Sequence, residues 1–121
     1  MAEEEQERLG IDAVTRRCIE AASDCYTSCT ETLTYCLDAG GELAEPEHLR
    51  LLLDCAEICQ TSQNTLLRGS GLSQLLATVS IEACEKCAES CRALVGSGEQ
   101  LAGCAEVCMH CAECCRELVV S

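Results

Sequence analysis

The sequence predicts an all-α protein, an antiparallel up-down-up-down four-helix bundle with a cysteine-lined core. Glycine-containing breakers at 40–41, 69–71 and 96–98 divide the chain into four long segments. These segments are rich in Ala, Leu, Glu and Gln and poor in β-branched residues, which favours helices over strands. Cysteines recur at helical spacing on one side of each segment. Because the connections are short, consecutive helices are expected to lie antiparallel.

The boundaries of each helix follow from residues that begin or end helices. Pro46 suits the first position of the second helix, and Gly69 suits the position just after its end. Ser97 and Gln100 form the pattern of a capping box before the fourth helix. We therefore predict helices over 11–38, 46–68, 72–95 and 98–119.

The domain organisation is correspondingly simple, because 121 residues are enough for one domain. Gly10 is unfavourable inside a helix and separates an N-terminal segment, 1–10, in which we consider a short helix over 2–8. The remaining residues, 11–121, are predicted to form the four-helix bundle as the metal-binding domain.

Charge and composition exclude several classes of function. Eight Lys and Arg against 21 Asp and Glu give a net charge of −13, which repels nucleic acid and anionic membranes. We find no catalytic triad pattern and no phosphate-binding loop, so the protein is not expected to be an enzyme. The N-terminus does not resemble a secretory signal, which predicts a cytoplasmic protein. In that compartment thiols stay reduced, and 14 cysteines indicate metal or redox chemistry rather than disulfides.

Nearly all cysteines fall on the side of each helix that a bundle turns inward. Only Cys114 lies off this stripe, about 60° beyond its edge in the fourth helix. The thirteen cysteines on the inward stripes are Cys18, Cys25, Cys29, Cys36, Cys55, Cys59, Cys84, Cys87, Cys91, Cys104, Cys108, Cys111 and Cys115.

Antiparallel packing about the loops arranges these residues in levels. One level contains Cys29, Cys55, Cys87 and Cys108, and the next contains Cys25, Cys59, Cys84 and Cys111. The level at one mouth contains Cys36, Cys91, Cys104 and His48. The opposite end contains Cys18, Cys114 and Cys115 beside an apolar plug of Ile11, Val14, Leu66 and Val119. We therefore expect a metal ion to enter at the mouth that carries His48.

The spacing of the thiols points to a particular metal. Five Cys-x-x-x-Cys pairs place two sulfurs one helical turn apart, which suits a soft ion that accepts near-linear coordination, as Cu(I) does. Replacing each thiol proton by Cu⁺ leaves the core neutral, whereas Zn²⁺ on four thiolates leaves a buried charge of −2. The five pairs are 25/29, 55/59, 87/91, 104/108 and 111/115.

Several alternatives are compatible with the same sequence. Pairs of this kind also form disulfides in oxidising compartments. A zinc or iron–sulfur protein with a redox or electron-transfer role is the main alternative, since Cys108, Cys111 and Cys114 match three ligands of a ferredoxin run, although Leu118 occupies the fourth position. His48 is either a solvated residue near a helix start or a ligand. His110 and Met109 lie far from the stripe, so they are expected to face outward or towards a partner subunit, and their metal binding stays open.

Repeated Cys-x-x-x-Cys pairs on four consecutive short-looped helices resemble the bacterial cytosolic copper storage proteins over residues 11–119. The resemblance implies storage and detoxification of multiple Cu(I) ions in a thiolate-lined bundle, assembled as a homotetramer and open at one end. It also implies a copper chaperone or efflux protein as partner. The metal ligands would be the thirteen cysteines named above, with Cys114 and with His48 at the mouth.

Overall fold

The computed structural model describes residues 11–94, 96 and 98–120, and these form four long helices. The helices are α1 (Ala13–Ala39), α2 (Pro46–Leu67), α3 (Ser73–Ala93) and α4 (Glu99–Val120), with a short 3-10 helix at Gly41–Ala44. The predicted boundaries agree to within two residues. The helix considered over 2–8, the domain boundary at residue 10, and Ser97 lie outside the described residues.

Local sequence explains where the helices begin and end. Asp12 caps α1, because its carboxylate accepts a hydrogen bond from the backbone N–H of Thr15 at 2.7 Å. Pro46 occupies the first turn of α2, as predicted. Gly69, just beyond the end of α2, has a φ of 65°, a conformation that glycine adopts without strain. The side chain of Gln100 donates to Thr32 Oγ1 at 2.8 Å and so ties α4 to α1.

The helices pack in a ring around a single core. Each helix contacts the next one along the chain, and α4 closes the ring by packing against α1. With antiparallel neighbours this is the predicted up-down-up-down bundle. The core consists mainly of cysteine and alanine, with Leu52 and Leu101 as its largest fully buried side chains. Small side chains allow the interior of the bundle to be lined by thiols along its length.

In the part of the chain that the structure describes, no helix has the length and apolarity required to cross a membrane.

Candidate metal centre

All fourteen cysteines are buried free thiols. Their burial follows from the inward stripes, and Cys114 is the one position where the prediction was too narrow. It lies off the stripe of α4 but is only 4% exposed. The adjoining helix α1 explains the difference, because α4 packs against α1 and Arg17 of α1 pairs with Glu117, three residues after Cys114, at 3.4 Å. A residue just beside the stripe is therefore covered by the neighbouring helix.

Sulfur atoms form a cluster at the centre of the bundle, with Cys25 in its middle. Cys25 Sγ lies 3.6 Å from Cys55 Sγ, 3.7 Å from Cys108 Sγ and 3.8 Å from Cys84 Sγ. Within its own Cys-x-x-x-Cys pair it lies 4.0 Å from Cys29 Sγ. These contacts bring sulfur from all four helices to one place, as a shared metal cluster requires.

Three groups of four sulfurs are compact enough to hold a metal ion, since the sulfurs in each lie within 4.8 Å of one another. The first two groups share Cys25 and Cys55, and the last two share Cys29 and Cys108. Shared sulfurs mean that the groups are parts of one cluster rather than separate sites. The groups are Cys25, Cys55, Cys59 and Cys84; Cys25, Cys29, Cys55 and Cys108; and Cys29, Cys87, Cys104 and Cys108.

The predicted central levels are present, but they interlock. Cys29 contacts Cys87 and Cys108, at 3.9 and 3.7 Å. Within the next level, Cys59 contacts Cys84 and Cys111, at 3.7 and 4.0 Å. Cys55, which was assigned to the level of Cys29, instead lies between the two levels through its contact with Cys25. The sulfurs therefore form a continuous column rather than separate planes.

Cys104 connects the mouth with the central cluster. It was assigned to the level of Cys36, Cys91 and His48, and its charge acts on Cys36 and His48 while its hydrogen bond is the main cause that raises the pKa of Cys91. Its Sγ also lies 3.9 Å from that of Cys29, in the next level. The physical reason is an axial offset between antiparallel helices, which lets their side chains interdigitate.

His48 is a buried residue at this mouth, with an exposure of 4%. Its Nε2 lies 3.6 Å from Cys36 Sγ, and its Nδ1 is hydrogen-bonded to Ser90 Oγ at 2.6 Å. Burial lowers the pKa of His48, which favours the neutral imidazole that can bind a metal ion. The alternative of a solvated histidine is therefore wrong. Ser90 was missed by the sequence analysis, because no local pattern relates it to a residue on another helix.

An open cavity of about 610 Å³ leads from solvent to His48. Four glutamates and one lysine line it beside His48 and Ser90, so its wall carries a net negative charge. Such a wall concentrates cations at the mouth of the bundle. These lining residues are Glu42, Glu45, Glu47, Glu89 and Lys86.

The opposite end combines two thiols with apolar side chains. Cys18 Sγ and Cys115 Sγ are 3.5 Å apart. Ile11 and Leu66 of the predicted plug are buried, whereas Val14 and Val119 are half-buried. The apolar character predicted for this end is confirmed.

His110 and Cys114 form an unpredicted contact near this end. Nε2 of His110 lies 3.6 Å from Cys114 Sγ, while His110 as a residue is exposed, in keeping with its predicted outward position. Met109, also expected to point outward, is half-buried and packs against the core. The i, i+4 spacing of His110 and Cys114 could have indicated their contact.

Protonation of the thiols is controlled by burial and by hydrogen bonds between them. A hydrogen bond with Cys115, and then burial, raise the pKa of Cys18. Burial first, and then the charge of Cys104, raise the pKa of Cys36. Burial raises the pKa of Cys114 to about 11. Cys18, Cys36 and Cys114 are therefore favoured as protonated thiols, which can serve as neutral core residues until a metal ion displaces their protons. Hydrogen bonds from neighbouring thiols instead lower the pKa of Cys59 and Cys111 to about 6.

Two of the alternatives receive no support from this geometry. Disulfides are absent among the fourteen cysteines, all of which the structure describes. The ferredoxin-like run is dispersed, because Cys108 contacts Cys25, Cys111 contacts Cys59, and Cys114 contacts His110. Three ligands of one cluster would instead have to face a common point.

Comparisons with known proteins agree with this site. The profile of a family described as Copper storage protein (Csp) matches residues 12–120. The chain is similar to the solved structure of the Nmul_A1745 protein from Nitrosospira multiformis, with 42% identity and a TM-score of 0.82, over 88% of this chain and 95% of that one.

Two further similar structures contain copper. One is a cytosolic copper storage protein from Streptomyces lividans with five coppers, 27% identical with a TM-score of 0.79, over 89% of this chain and 93% of that one. The other is the Cu(I)-bound copper storage protein BsCsp3, 28% identical with a TM-score of 0.78, over 88% of this chain and 98% of that one.

Proposed function

Because this chain belongs to the copper storage protein family, we propose that it stores multiple Cu(I) ions on the cysteine thiolates inside its bundle. The observation that carries the proposal is the sharing of sulfurs between neighbouring groups of four. A shared thiolate can bridge two ions, so a continuous column accommodates more ions than isolated sites built from the same ligands.

The charge of the core favours Cu(I) over zinc. Each Cu⁺ that replaces a thiol proton leaves the buried column neutral, whereas each Zn²⁺ bound by four thiolates adds a buried charge of −2. Such a charge needs compensating cations, but the core is built from cysteine, alanine and leucine side chains. Because Cu(I) binding leaves the core uncharged, many Cu(I) ions can be bound in an interior that contains few groups able to solvate charge.

The proposed ligands are the fourteen cysteines together with His48. Thirteen of the cysteines are at most 1% exposed, and Cys114 is 4% exposed. Cys36 and Cys114 each also contact an imidazole. The full set is Cys18, Cys25, Cys29, Cys36, His48, Cys55, Cys59, Cys84, Cys87, Cys91, Cys104, Cys108, Cys111, Cys114 and Cys115.

Copper is proposed to enter at the mouth occupied by His48. The acidic cavity attracts cations, and the imidazole at its base offers a first ligand in contact with Cys36. His48 would pass the ion inward with little share in equilibrium storage. At the opposite end, among residues 11–94 and 98–120, buried Ile11 and Leu66 lie outside the thiols of Cys18 and Cys115 and offer no imidazole comparable to His48 along the bundle axis.

In the cell, the protein is proposed to act in the cytosol as a non-enzymatic store that limits copper toxicity. The similar Streptomyces lividans protein is described as cytosolic. A copper chaperone or efflux protein would be its donor or acceptor. Assembly as a homotetramer is supported by exposed apolar residues, Leu75 and Val79 of α3 and Leu72 just before it, which would be covered by other subunits.

Anaerobic titration of the reduced metal-free protein with Cu(I), in competition with a chelator, tests this function. We expect on the order of ten Cu(I) ions per chain, because bridging thiolates let the ligand supply serve many ions. Saturation at one or two ions would refute storage. Visible absorption by the purified protein would instead support the iron–sulfur alternative, because Cu(I) and Zn(II) thiolates are colourless.

A further inference from the structure

The contact between His110 and Cys114 repeats, on the side of the bundle, the arrangement found at the mouth. His110 Nε2 lies 3.6 Å from Cys114 Sγ, the same distance that separates His48 Nε2 from Cys36 Sγ. His110 and Cys114 belong to α4 and are one turn apart, so the helix itself holds them together. The imidazole is exposed and the thiol is buried, so the pair extends from solvent to the core.

Cys114 is next to the end of the sulfur column. Cys114 directly precedes Cys115 in α4, and Cys111 lies about one turn before it. Cys18 contacts Cys115 at 3.5 Å, and Cys111 contacts Cys59 at 4.0 Å. An ion on Cys114 therefore has further thiols within the same neighbourhood to which it can transfer.

The separation of the two ligand atoms suits a metal ion with an open coordination position. With bonds of about 2.3 Å to sulfur and about 2.0 Å to nitrogen, a distance of 3.6 Å gives an angle of about 110° at the ion. Two ligands at this angle leave space for a third. A thiolate of an external copper carrier, or a thiolate of the core, can occupy that position during exchange.

The surface beside Cys114 carries an ion pair. Arg17 and Glu117, which act on Cys114 electrostatically, form an ion pair of 3.4 Å between α1 and α4. Both side chains are about half exposed. Exposed ion pairs of this kind contribute little to stability, so opening this one costs little free energy.

We propose that His110 and Cys114 form a second Cu(I) transfer site, which connects external thiolate carriers with the Cys18 end of the sulfur column. This inference rests on the proposed storage function. Copper stays in the +1 state throughout: a bond to Cys114 forms as its thiol proton leaves, and the bond to the carrier's thiolate breaks. The protein would then exchange copper at two places, the mouth at His48 and the side at His110.

The test compares loading rates when the mouth is impaired. Cu(I) is supplied anaerobically from a chromogenic chelator complex to His48→Ala and to the double variant His48→Ala/His110→Ala. We expect the double variant to load several-fold more slowly and to reach nearly the same final stoichiometry. The matched control is His48→Ala/Glu106→Ala, which alters an exposed residue one turn before His110 and should load like His48→Ala.

Equal rates for the two histidine variants would refute the second site without affecting storage, which the final stoichiometry measures separately. A direct readout is the ¹⁵N NMR signal of His110 Nε2. It should shift when a fraction of an equivalent of Cu(I) is added to wild type, and the shift should disappear in Cys114→Ala. No shift in wild type would also refute the proposal, whereas low stoichiometry with a clear shift would refute storage alone.

Discussion

The imidazole of His48 lies between Cys36 and Ser90, with Nε2 3.6 Å from the thiol and Nδ1 2.6 Å from the hydroxyl. The hydrogen bond to Ser90 fixes the orientation of the ring, and it directs Nε2 towards the core. His48 is on α2, Ser90 is on α3, and Cys36 ends the inward stripe of α1. Three helices thus cooperate to present one nitrogen atom to an arriving ion.

His48→Ala should slow Cu(I) loading several-fold and leave the final stoichiometry almost unchanged, because the imidazole is proposed to relay ions rather than to store them. Stopped-flow mixing with a Cu(I) chelator complex measures the rate. Ser90→Ala should give a smaller slowing, since the ring remains but is no longer oriented. Cys36→Ala and Cys91→Ala should instead lower the stoichiometry.

Wild-type loading rates in His48→Ala, together with altered rates after substitution of Leu66 and Val119, would contradict the proposed direction. Copper would then enter at the apolar end.

Cys25→Ala should reduce Cu(I) capacity more than Cys18→Ala does. Cys25 belongs to two of the three sulfur groups, whereas Cys18 contacts Cys115 at the end of the column. We expect losses of about two ions and about one ion, respectively, because each bridging thiolate serves two ions. Native mass spectrometry of the loaded proteins counts the ions directly. Equal losses from the two variants would argue against a shared cluster.

The reduced, metal-free protein should already be helical, because protonated thiols act as small apolar core residues. Far-ultraviolet circular dichroism tests this, and a random-coil spectrum would contradict it.

The free energy of unfolding should depend on pH because of Cys114, whose pKa is raised from 9.0 to about 11 in the folded protein.

A raised pKa means that the folded protein holds this proton more tightly than the unfolded chain does. The contribution of Cys114 is therefore complete below pH 9.0 and is lost as the pH rises to about 11. The difference in the free energy of unfolding between wild type and Cys114→Ala should therefore decrease over this pH interval. Denaturant titration under reducing conditions measures this difference. A difference independent of pH over this interval would contradict the assignment.

Asp12→Ala should destabilise the protein by about 1 kcal/mol, which is the usual cost of losing an N-cap. Asp12→Asn is the matched control, because an amide oxygen also accepts a hydrogen bond from the Thr15 N–H and should preserve most of the stability. Urea unfolding at neutral pH compares the two variants.

The same hydrogen bond lowers the pKa of Asp12 below its ordinary value of 3.8. The stability from the carboxylate is therefore present above pH 3.8 and is lost as the pH falls through the lowered pKa. Asp12→Asn should lack this acid dependence. If Asp12→Ala were as stable as wild type, the hydrogen bond to Thr15 would not stabilise α1.

The four helices and their inward faces could be predicted from the sequence alone. Helix ends depend on local chemistry, as at Pro46 and Gly69, and the direction of each side chain depends on a fixed rotation per residue. Thirteen cysteines were therefore assigned correctly to the interior before any contact between helices was known. The preference for Cu(I) likewise depended on spacing and charge that are present in the sequence.

The tertiary structure decided how these faces meet. Helical periodicity fixes the angle of a residue about its axis, but it does not fix how far one helix is shifted along another. That shift brings Cys104 to Cys29 and Cys55 to Cys25, and so joins the predicted levels into one column. Packing between α1 and α4 buries Cys114, and the approach of α3 to α2 brings Ser90 within hydrogen-bond distance of His48. Each of these contacts depends on the relative positions of two helices, which side-chain packing and loop geometry determine together.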